Sequence, residues 1–231
     1  MDEDGSWKQL GEDICGEAVS DFRGISVSLS GNGTTVAIGA PWNSDYGRYS
    51  GNVKVHRIDS EGSCWEQLGQ IIYGETENDY FGWFVDITPD GNTMMIGSAG
   101  YITSNWPGYV RVYHLDSSDN LYSSWNRHGQ DITGNATGDE FGSFGSLSDD
   151  GKTLAVGVRA YGARAVRVYR MDDSSFNWTQ LGEDIGDVSA SDHSVFCSLS
   201  LSKDGKMVAI GSFRNDGKED DSGLVRVLAM E

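Results

Sequence analysis

The sequence predicts an all-β fold built from four repeats, and three observations carry that prediction. A Trp-led segment recurs at intervals of 53 to 60 residues, starting at Trp7, Trp65, Trp125 and Trp178. Between these segments, short β-branched runs alternate apolar and polar residues, which is typical of half-buried strands. The chain contains 31 Gly but only 3 Pro, as expected for many tight turns between regular strands. No segment keeps a helical period over three turns.

Each repeat contains the same elements in the same order. A first strand, a turn of Asn-Gly or Asp-Gly, a second strand and a third strand follow one another between the Trp-led segments. Asn-Gly and Asp-Gly supply the positive φ angles that two-residue hairpins require. The third strands share a sequence pattern in which a basic residue lies between two valines, at residues 53–55, 110–112, 166–168 and 225–227.

This order predicts a four-bladed β-propeller of four-stranded blades, closed by the N-terminal strand. The Trp strand opens the sequence and three strands close it, so residues 6–14 can complete the last sheet and remove an unpaired edge. We expect one domain over residues 1–231, with blades at about 15–72, 73–132, 133–185 and 186–231. The alternative is that the chain forms half of an eight-bladed dimeric ring, so a monomer or a homodimer is expected.

A motif of the form Asp-x-Phe-Gly, Ile-Gly-Ala-Pro and Gly-x-Val-x-Val-Tyr runs through the repeats, best seen at residues 79–82, 139–142, 38–41 and 108–113. It resembles the FG-GAP repeat of integrin α-subunit propellers. The resemblance implies a propeller used in binding or cell adhesion. That family often carries a calcium loop between the first two strands of a blade. Here a two-residue hairpin occupies that place and cannot gather six or more oxygen ligands, so those calcium sites are not expected.

The composition excludes several classes of partner. A net charge of −18 repels nucleic acid and anionic membrane surfaces. No apolar run reaches the roughly 18 residues of a membrane span, and the acidic N-terminus is not a signal peptide. The three cysteines, Cys15, Cys64 and Cys197, are too sparse for a disulfide framework. We expect the protein to work outside the cell or in a secretory or organelle lumen.

The connections between second and third strands differ most among the repeats, and they are rich in aromatic residues. All four emerge on one face of a propeller because they join equivalent strand ends. Rigid aromatic rings supply contact area in recognition surfaces. The predicted ligand-binding residues are Trp42, Tyr46, Tyr49, Tyr101 and Trp106. The alternative is that these rings cover blade edges.

Two further sets of charged residues are candidate sites. The acidic connection of the fourth repeat could hold one Ca²⁺ but lacks the alternate-residue spacing of a dedicated loop, so no metal or cofactor is expected; its carboxylates are Asp216, Glu219, Asp220 and Asp221. One basic residue per third strand could form an anion-binding belt. We expect instead that Lys54, Arg111, Arg167 and Arg226 pair with the repeat carboxylates Asp21, Asp79, Asp139 and Asp192.

No catalytic motif stands out in the sequence. The four histidines fall at scattered repeat positions, and neither a nucleophile elbow nor a phosphate-binding Gly loop is present. The sequence therefore predicts a non-catalytic interaction module that binds a protein or a glycan through the loop face. The alternatives are a structural subunit of a larger assembly and a carbohydrate-active enzyme.

Overall fold

The computed structural model describes residues 5–99, 106–118, 123–160, 163–186, 196–212 and 222–230. These residues form strands, turns and loops. They contain no helix, and hence no helix that is long and apolar enough to cross a membrane. The strands of the first two repeats are β1 (Ser26–Leu29), β2 (Thr35–Ala40), β3 (Asn52–Ile58), β4 (Trp65–Gln67), β5 (Ile72–Tyr73), β6 (Phe81–Ile87), β7 (Thr93–Ser98), β8 (Tyr109–Asp116), β9 (Ser124–Arg127) and β10 (Ile132–Thr133). Those of the last two are β11 (Gly145–Leu147), β12 (Thr153–Ala160), β13 (Ala163–Asp172), β14 (Asn177–Gly186), β15 (Phe196–Leu201), β16 (Met207–Ser212) and β17 (Leu224–Ala229).

The strands form four antiparallel sheets, one for each repeat. Three sheets run from an inner strand to an outer Trp-led strand, in the orders β1-β2-β3-β4, β6-β7-β8-β9 and β11-β12-β13-β14. In the first two sheets the outer strand is split, so that β4 and β5 both pair with β3, and β9 and β10 both pair with β8. The fourth sheet contains β15, β16 and β17. The fold is an all-β, four-bladed β-propeller, as the sequence predicts.

The turn between first and second strands is built in the same way in successive blades. In the second blade, Asp90 accepts hydrogen bonds from the Asn92 backbone N–H at 3.0 Å and from the Thr88 hydroxyl at 2.5 Å. Asp150 and Asp204 accept the equivalent bonds in the third and fourth blades. This carboxylate fixes the hairpin locally, which explains why the turn dipeptide predicts the register.

The hydrophobic core lies between consecutive blades. Of its three clusters, one joins the first and second blades, one the second and third, and one the third and fourth. Val53 and Val55 of β3 pack with Val85 and Ile87 of β6 in the first of these clusters. The second and third blades therefore bury one face against the blade before and the other against the blade after, whereas the first and fourth blades bury one face each in these clusters.

Glycines allow the blades to approach through their backbones. A Cβ atom at Gly39 of β2 would lie 2.1 Å from the Gly82 carbonyl oxygen of the next blade. A Cβ atom at Gly97 of β7 would lie 2.0 Å from the Gly142 carbonyl oxygen. The Ile-Gly and Phe-Gly pairs of the sequence motif are thus two sides of one contact, where only Gly fits.

Hydrogen bonds near the propeller axis also link the blades. A polar side chain of each inner strand accepts a bond from the next inner strand, and we call this series the axial ladder. The Ile87 N–H donates to Ser28 Oγ at 3.1 Å, and the Leu147 N–H donates to Asp86 Oδ2 at 2.8 Å. The Leu201 N–H donates to Ser146 Oγ at 3.1 Å in the same way.

The N-terminal segment does not lie where the sequence predicts it. Residues 5–14 form no strand, and among the described residues β17 pairs only with β16. The segment instead contacts the first blade, where the Trp65 indole N–H donates to the Leu10 carbonyl at 2.9 Å. The indole N–H needs an acceptor, and the Leu10 carbonyl supplies it at the position that Leu68 occupies beside Trp125. The expectation that residues 6–14 complete the last blade is corrected accordingly.

Candidate binding surface

Aromatic side chains gather where the first and second blades meet on the loop face. Trp42 is at their centre, with its ring centroid 5.0 Å from that of Phe22, 5.2 Å from Trp83 and 5.9 Å from Tyr80. Tyr49 stacks on Tyr80 at 5.8 Å. We call these five residues the aromatic patch. Phe22 is exposed, Trp42, Tyr49 and Trp83 are half-buried, and Tyr80 is buried.

The connection that carries Trp42 is held by a network around one buried amide. Asn43 Nδ2 donates to Asp21 Oδ2 at 3.1 Å and to Asp45 Oδ2 at 3.0 Å, while the Asp45 N–H donates to Asn43 Oδ1 at 3.1 Å. The Tyr49 N–H donates to Ser44 Oγ at 3.0 Å. Because these bonds join the connection to itself and to the loop before β1, the aromatic rings above it are held in place before any ligand arrives.

An unusual backbone conformation places two of the rings. Phe22 and Tyr80 follow the Asp of the Asp-x-Phe-Gly motif, and both have positive φ, 50° and 53°. Glu140 at the same position of the third blade has φ 44°, so the conformation belongs to the repeat. The motif Asp stabilises it, since Asp79 Oδ2 accepts the N–H groups of Glu75 at 2.9 Å and Thr76 at 3.0 Å.

A second aromatic pair extends the surface at its acidic edge. Tyr46 is 67% exposed and stacks on Tyr73 with the ring centroids 6.0 Å apart. Burial raises the pKa of the Tyr73 hydroxyl above its ordinary value, and the nearby Asp45 and Glu17 carboxylates raise it further. The hydroxyl therefore remains a neutral donor and acceptor at physiological pH, next to negative charge.

Three of the five predicted binding residues lie together. Trp42 and Tyr49 belong to the aromatic patch, and Tyr46 lies beside it. Trp106 is exposed in the second blade, and the ring contacts of the described residues do not join it to the patch. Tyr101 lies outside the described residues, as do the weak calcium candidates Asp216, Glu219, Asp220 and Asp221.

Phe22, Tyr80 and Trp83 belong to the surface although they are not among the predicted binding residues. Tyr80 belongs to the Asp-x-Phe-Gly motif, Phe22 occupies the same position in the first repeat, and Trp83 follows the motif, so their sequence context indicates the repeated scaffold. The signal that could have identified them is topological. The motif precedes an inner strand whose start lies beside the end of the second strand, and therefore at the same end of the blade as the variable connections.

Three of the four basic residues of the third strands form ion pairs, although not with the predicted carboxylates; Asp192, the predicted partner of Arg226, lies outside the described residues. Lys54 Nζ contacts Glu17 Oε1 at 2.6 Å. Arg111 donates two bonds to Asp131, at 2.9 and 2.8 Å, and Arg167 donates likewise to Asp184. The motif carboxylates are buried in loop hydrogen bonds instead, which is why they do not reach the cations. The described pairs thus neutralise three of the four cations of the predicted belt.

Two histidines that are distant in the sequence are neighbours in the structure. The rings of His114 and His128 are 5.6 Å apart, and Phe176 packs on His128 at 5.9 Å. Burial, followed by the charge of His114, lowers the pKa of His128. Within the described part of the chain, no group of three or more His, Cys, Asp or Glu side chains could hold a metal ion.

The fold and the surface define a class: a β-propeller with an ordered aromatic surface on its loop face. No protein-family model matches the chain, and no curated protein matches it. Solved propellers do match. They include a periplasmic gluconolactonase from Pseudomonas aeruginosa (16% identity, 89% of this chain and 53% of that chain, TM-score 0.53). They also include Sqt1 from Saccharomyces cerevisiae (18%, 88% and 46%, TM-score 0.53) and a candidate 6-phosphogluconolactonase from Bacteroides uniformis (12%, 88% and 57%, TM-score 0.51).

These comparisons correct the prediction that the chain is not an enzyme, and they support the β-propeller fold without supporting the FG-GAP resemblance. The prediction that the chain is not an enzyme is wrong as drawn, because two of the similar structures carry lactonase names and the propeller thus gives no ground for excluding catalysis. The chain is similar to solved β-propellers, but no match is to an FG-GAP or integrin protein among those named here. The chain spans about half the length of these structures.

Proposed function

We propose that the chain is a recognition module that binds a protein partner through the aromatic patch and the adjoining Tyr46. The observation that carries the proposal is the cluster of five rings on a hydrogen-bonded connection, with Phe22 and Tyr46 exposed at its edges. Rigid aromatic side chains give large contact area at low entropic cost, which suits them as anchors of a protein interface.

The charge around the patch favours a partner with basic side chains. Asp45 and Glu77 are exposed in the loops that carry Tyr49 and Tyr80, and the whole chain carries a charge of −18. Arg48 already lies over the Tyr49 ring at 5.0 Å from its centroid, which shows that these rings accept a cation on their face. A Lys or Arg of the partner would gain both the ring contact and the carboxylates.

The first test is binding with single substitutions in the surface. We expect Tyr46→Ala and Phe22→Ala each to weaken binding to a partner selected from a displayed library of extracellular proteins by about tenfold or more, because anchors of this kind contribute about 2 kcal/mol. Phe176→Ala is the matched control, since Phe176 is equally exposed but contacts His128 instead. Dissociation constants are measured by surface plasmon resonance.

Salt and a glycan array separate the alternatives. A basic partner predicts that binding weakens as ionic strength rises from 50 to 300 mM, since the charges are exposed. Binding that is unchanged in both surface variants would contradict the assignment of the patch. Saturable binding to neutral glycans that Tyr46→Ala abolishes would instead identify a sugar-binding surface.

We also propose that this recognition takes place outside the cytoplasm, as the periplasmic location named for the Pseudomonas gluconolactonase supports. Fractionation of cells that make the protein tests the location. Recovery in the periplasmic, secreted or organelle fraction is expected, and recovery in the cytosol alone contradicts it.

A further inference from the structure

The two end blades expose apolar faces that are buried at every internal junction. On the first blade, Val27 of β1 is 62% exposed, whereas Val85 at the same position of β6 is 4% exposed. On the fourth blade, Val227 of β17 is 68% exposed, whereas Val55 at the same position of β3 is 1% exposed. The two end faces are therefore the two halves of one blade-to-blade junction.

Of the three junctions between consecutive blades, the first two are also fastened by a tryptophan. The Trp125 indole N–H donates to the Leu68 carbonyl at 2.9 Å, and the Trp178 indole N–H donates to the His128 carbonyl at 3.0 Å. The glycine after that carbonyl makes room for the ring: a Cβ atom at Gly69 would lie 2.7 Å from Trp125. The Trp pairs with the last apolar residue of its own third strand, as Trp178 does with Met171.

At the junction between the third and fourth blades, the position that corresponds to this tryptophan contains no aromatic ring of the described residues. By repeat alignment, Gly182 corresponds to Gly69 and Met230 to Met171. No described heavy atom lies within 4 Å of a Cβ atom at Gly182. A groove of about 510 Å³ opens there, and it is lined by Leu181, Gly182, Lys206, Val208, Leu228 and Met230. We call it the terminal groove.

Trp7 fits the terminal groove by its sequence context. It leads the first WxQLG segment and is 102% exposed. We propose that Trp7 of a second copy of this chain occupies the terminal groove, so that residues 6–14 of each copy pair with β17 of the other and two copies form an eight-bladed ring. This inference does not depend on the proposed function.

A second copy is favoured over the chain's own segment for two reasons. The segment is anchored on the first blade through Leu10 and Trp65, and in that position its own Trp7 remains exposed while its own groove is unfilled. The four blades also match about half of two longer solved propellers, covering 46% and 53% of those chains at TM-scores of 0.53, so this fold is compatible with a propeller that contains more than one such chain length. Two identical head-to-tail contacts close on a two-fold axis.

The axial ladder supports the same arrangement. Ser200 of β15 occupies the position of Ser28, Asp86 and Ser146, each of which accepts an N–H from the following blade. In the eight-bladed ring, Ser200 would accept the Leu29 N–H of the second copy. The ladder would then continue across both junctions without a change in residue type.

The experiment measures mass by light scattering after gel filtration of the 231-residue chain. We expect the wild type to have twice the 25.1 kDa of one chain, and Trp7→Ala to run as a single chain with dimer affinity lowered at least ~100-fold. Trp106→Ala, an exposed tryptophan away from both ends, is the matched control and should remain a dimer. A wild type that is monomeric at 100 μM, or a dimeric Trp7→Ala, overturns the proposal.

Complementation tests the head-to-tail geometry. Val227→Glu blocks the face of the fourth blade, and because Val227 is exposed in the single chain the variant is expected to fold. Each variant alone should be monomeric, whereas a mixture of Trp7→Ala and Val227→Glu keeps one intact junction and should form a heterodimer. Failure of the mixture to associate while the wild type dimerises would show that like faces pair instead, which also overturns the proposal.

Discussion

At the scale of single residues, Asp86 is the exception in the axial ladder. The other three repeats place Ser28, Ser146 and Ser200 at its position. Burial raises the pKa of the Asp86 carboxyl above its ordinary 3.8, more than the bonds from the Leu147 N–H and the Ser28 hydroxyl lower it. The folded state thus binds a proton at this carboxyl more readily than the unfolded state does, and ionised Asp86 destabilises the fold at neutral pH.

Asp86→Ser should therefore stabilise the protein at neutral pH. The Ser hydroxyl can accept the Leu147 N–H, as Ser146 accepts the Leu201 N–H, without a buried charge. We expect the melting temperature to rise by about 2–4 °C at pH 7. The advantage should shrink as the pH falls towards 4, because protonation then relieves the wild type of the same charge. Circular dichroism melts at both pH values measure the difference.

The comparison of variant and wild type at each pH cancels the titration of all other carboxylates. Ser146→Ala serves as the control for loss of the hydrogen bond alone. It should destabilise the protein by a similar amount at both pH values. A stabilisation by Asp86→Ser that is equal at pH 7 and pH 4 would contradict the role assigned to the buried charge.

Residue-level prediction from the sequence succeeded where the contacts are local. The turn carboxylates Asp90, Asp150 and Asp204 lie in segments whose neighbours in sequence determine their surroundings. The partners of Lys54 and Arg111 were predicted wrongly, because their carboxylates are 37 and 20 residues away and are placed by the blade geometry. Tyr80 was missed since one residue there serves both the repeat turn and the surface.

At the scale of elements, backbone contact between glycines fixes the distance between blades. Gly97→Ala places a methyl group on the Gly142 carbonyl, and backbone on both sides leaves little room to relax. We expect a loss of about 3 kcal/mol in the free energy of unfolding. Urea denaturation followed by tryptophan fluorescence measures it.

Gly16→Ala is the matched control for this substitution. A Cβ atom at Gly16 would meet its nearest heavy atom, Arg23 Cβ, at 3.7 Å, an ordinary contact distance. The same change of residue type should therefore alter the unfolding free energy by less than about 0.5 kcal/mol. Equal effects of the two substitutions would show that chain entropy, and not blade contact, requires Gly97.

The strands themselves were predictable because period and turn chemistry act over a few residues. The split of the outer strands into β4 with β5, and β9 with β10, was not predicted. The Trp-led sequence does not explain the split, because it is nearly the same in the third repeat, where β14 is continuous. The position of residues 6–14 was also beyond sequence reasoning, since the same segment can fasten either of two blades.

At the scale of the whole molecule, the exposed faces of the first and fourth blades make the stability of the folded chain depend on the protein concentration. Association that buries Val27 and Val227 stabilises the folded chain by mass action. We expect the melting temperature of the wild type to rise by about 2–4 °C for each tenfold increase in concentration, and that of Trp7→Ala to stay constant. Differential scanning fluorimetry from 1 to 100 μM checks this, and parallel behaviour of the two proteins would contradict it.

The tryptophan fastener has a consequence for how such rings can be cut and joined. The second and third blades bond to the preceding blade through the same indole-to-carbonyl hydrogen bond, from Trp125 to Leu68 and from Trp178 to His128, and Trp65 of the first blade bonds in the same way to Leu10. This hydrogen bond depends neither on the number of blades nor on which blade comes first. A gene could therefore be circularly permuted at any junction between repeats, or duplicated in tandem. Its product would still form each of these hydrogen bonds, provided that the number of blades matches the angle between neighbouring blades.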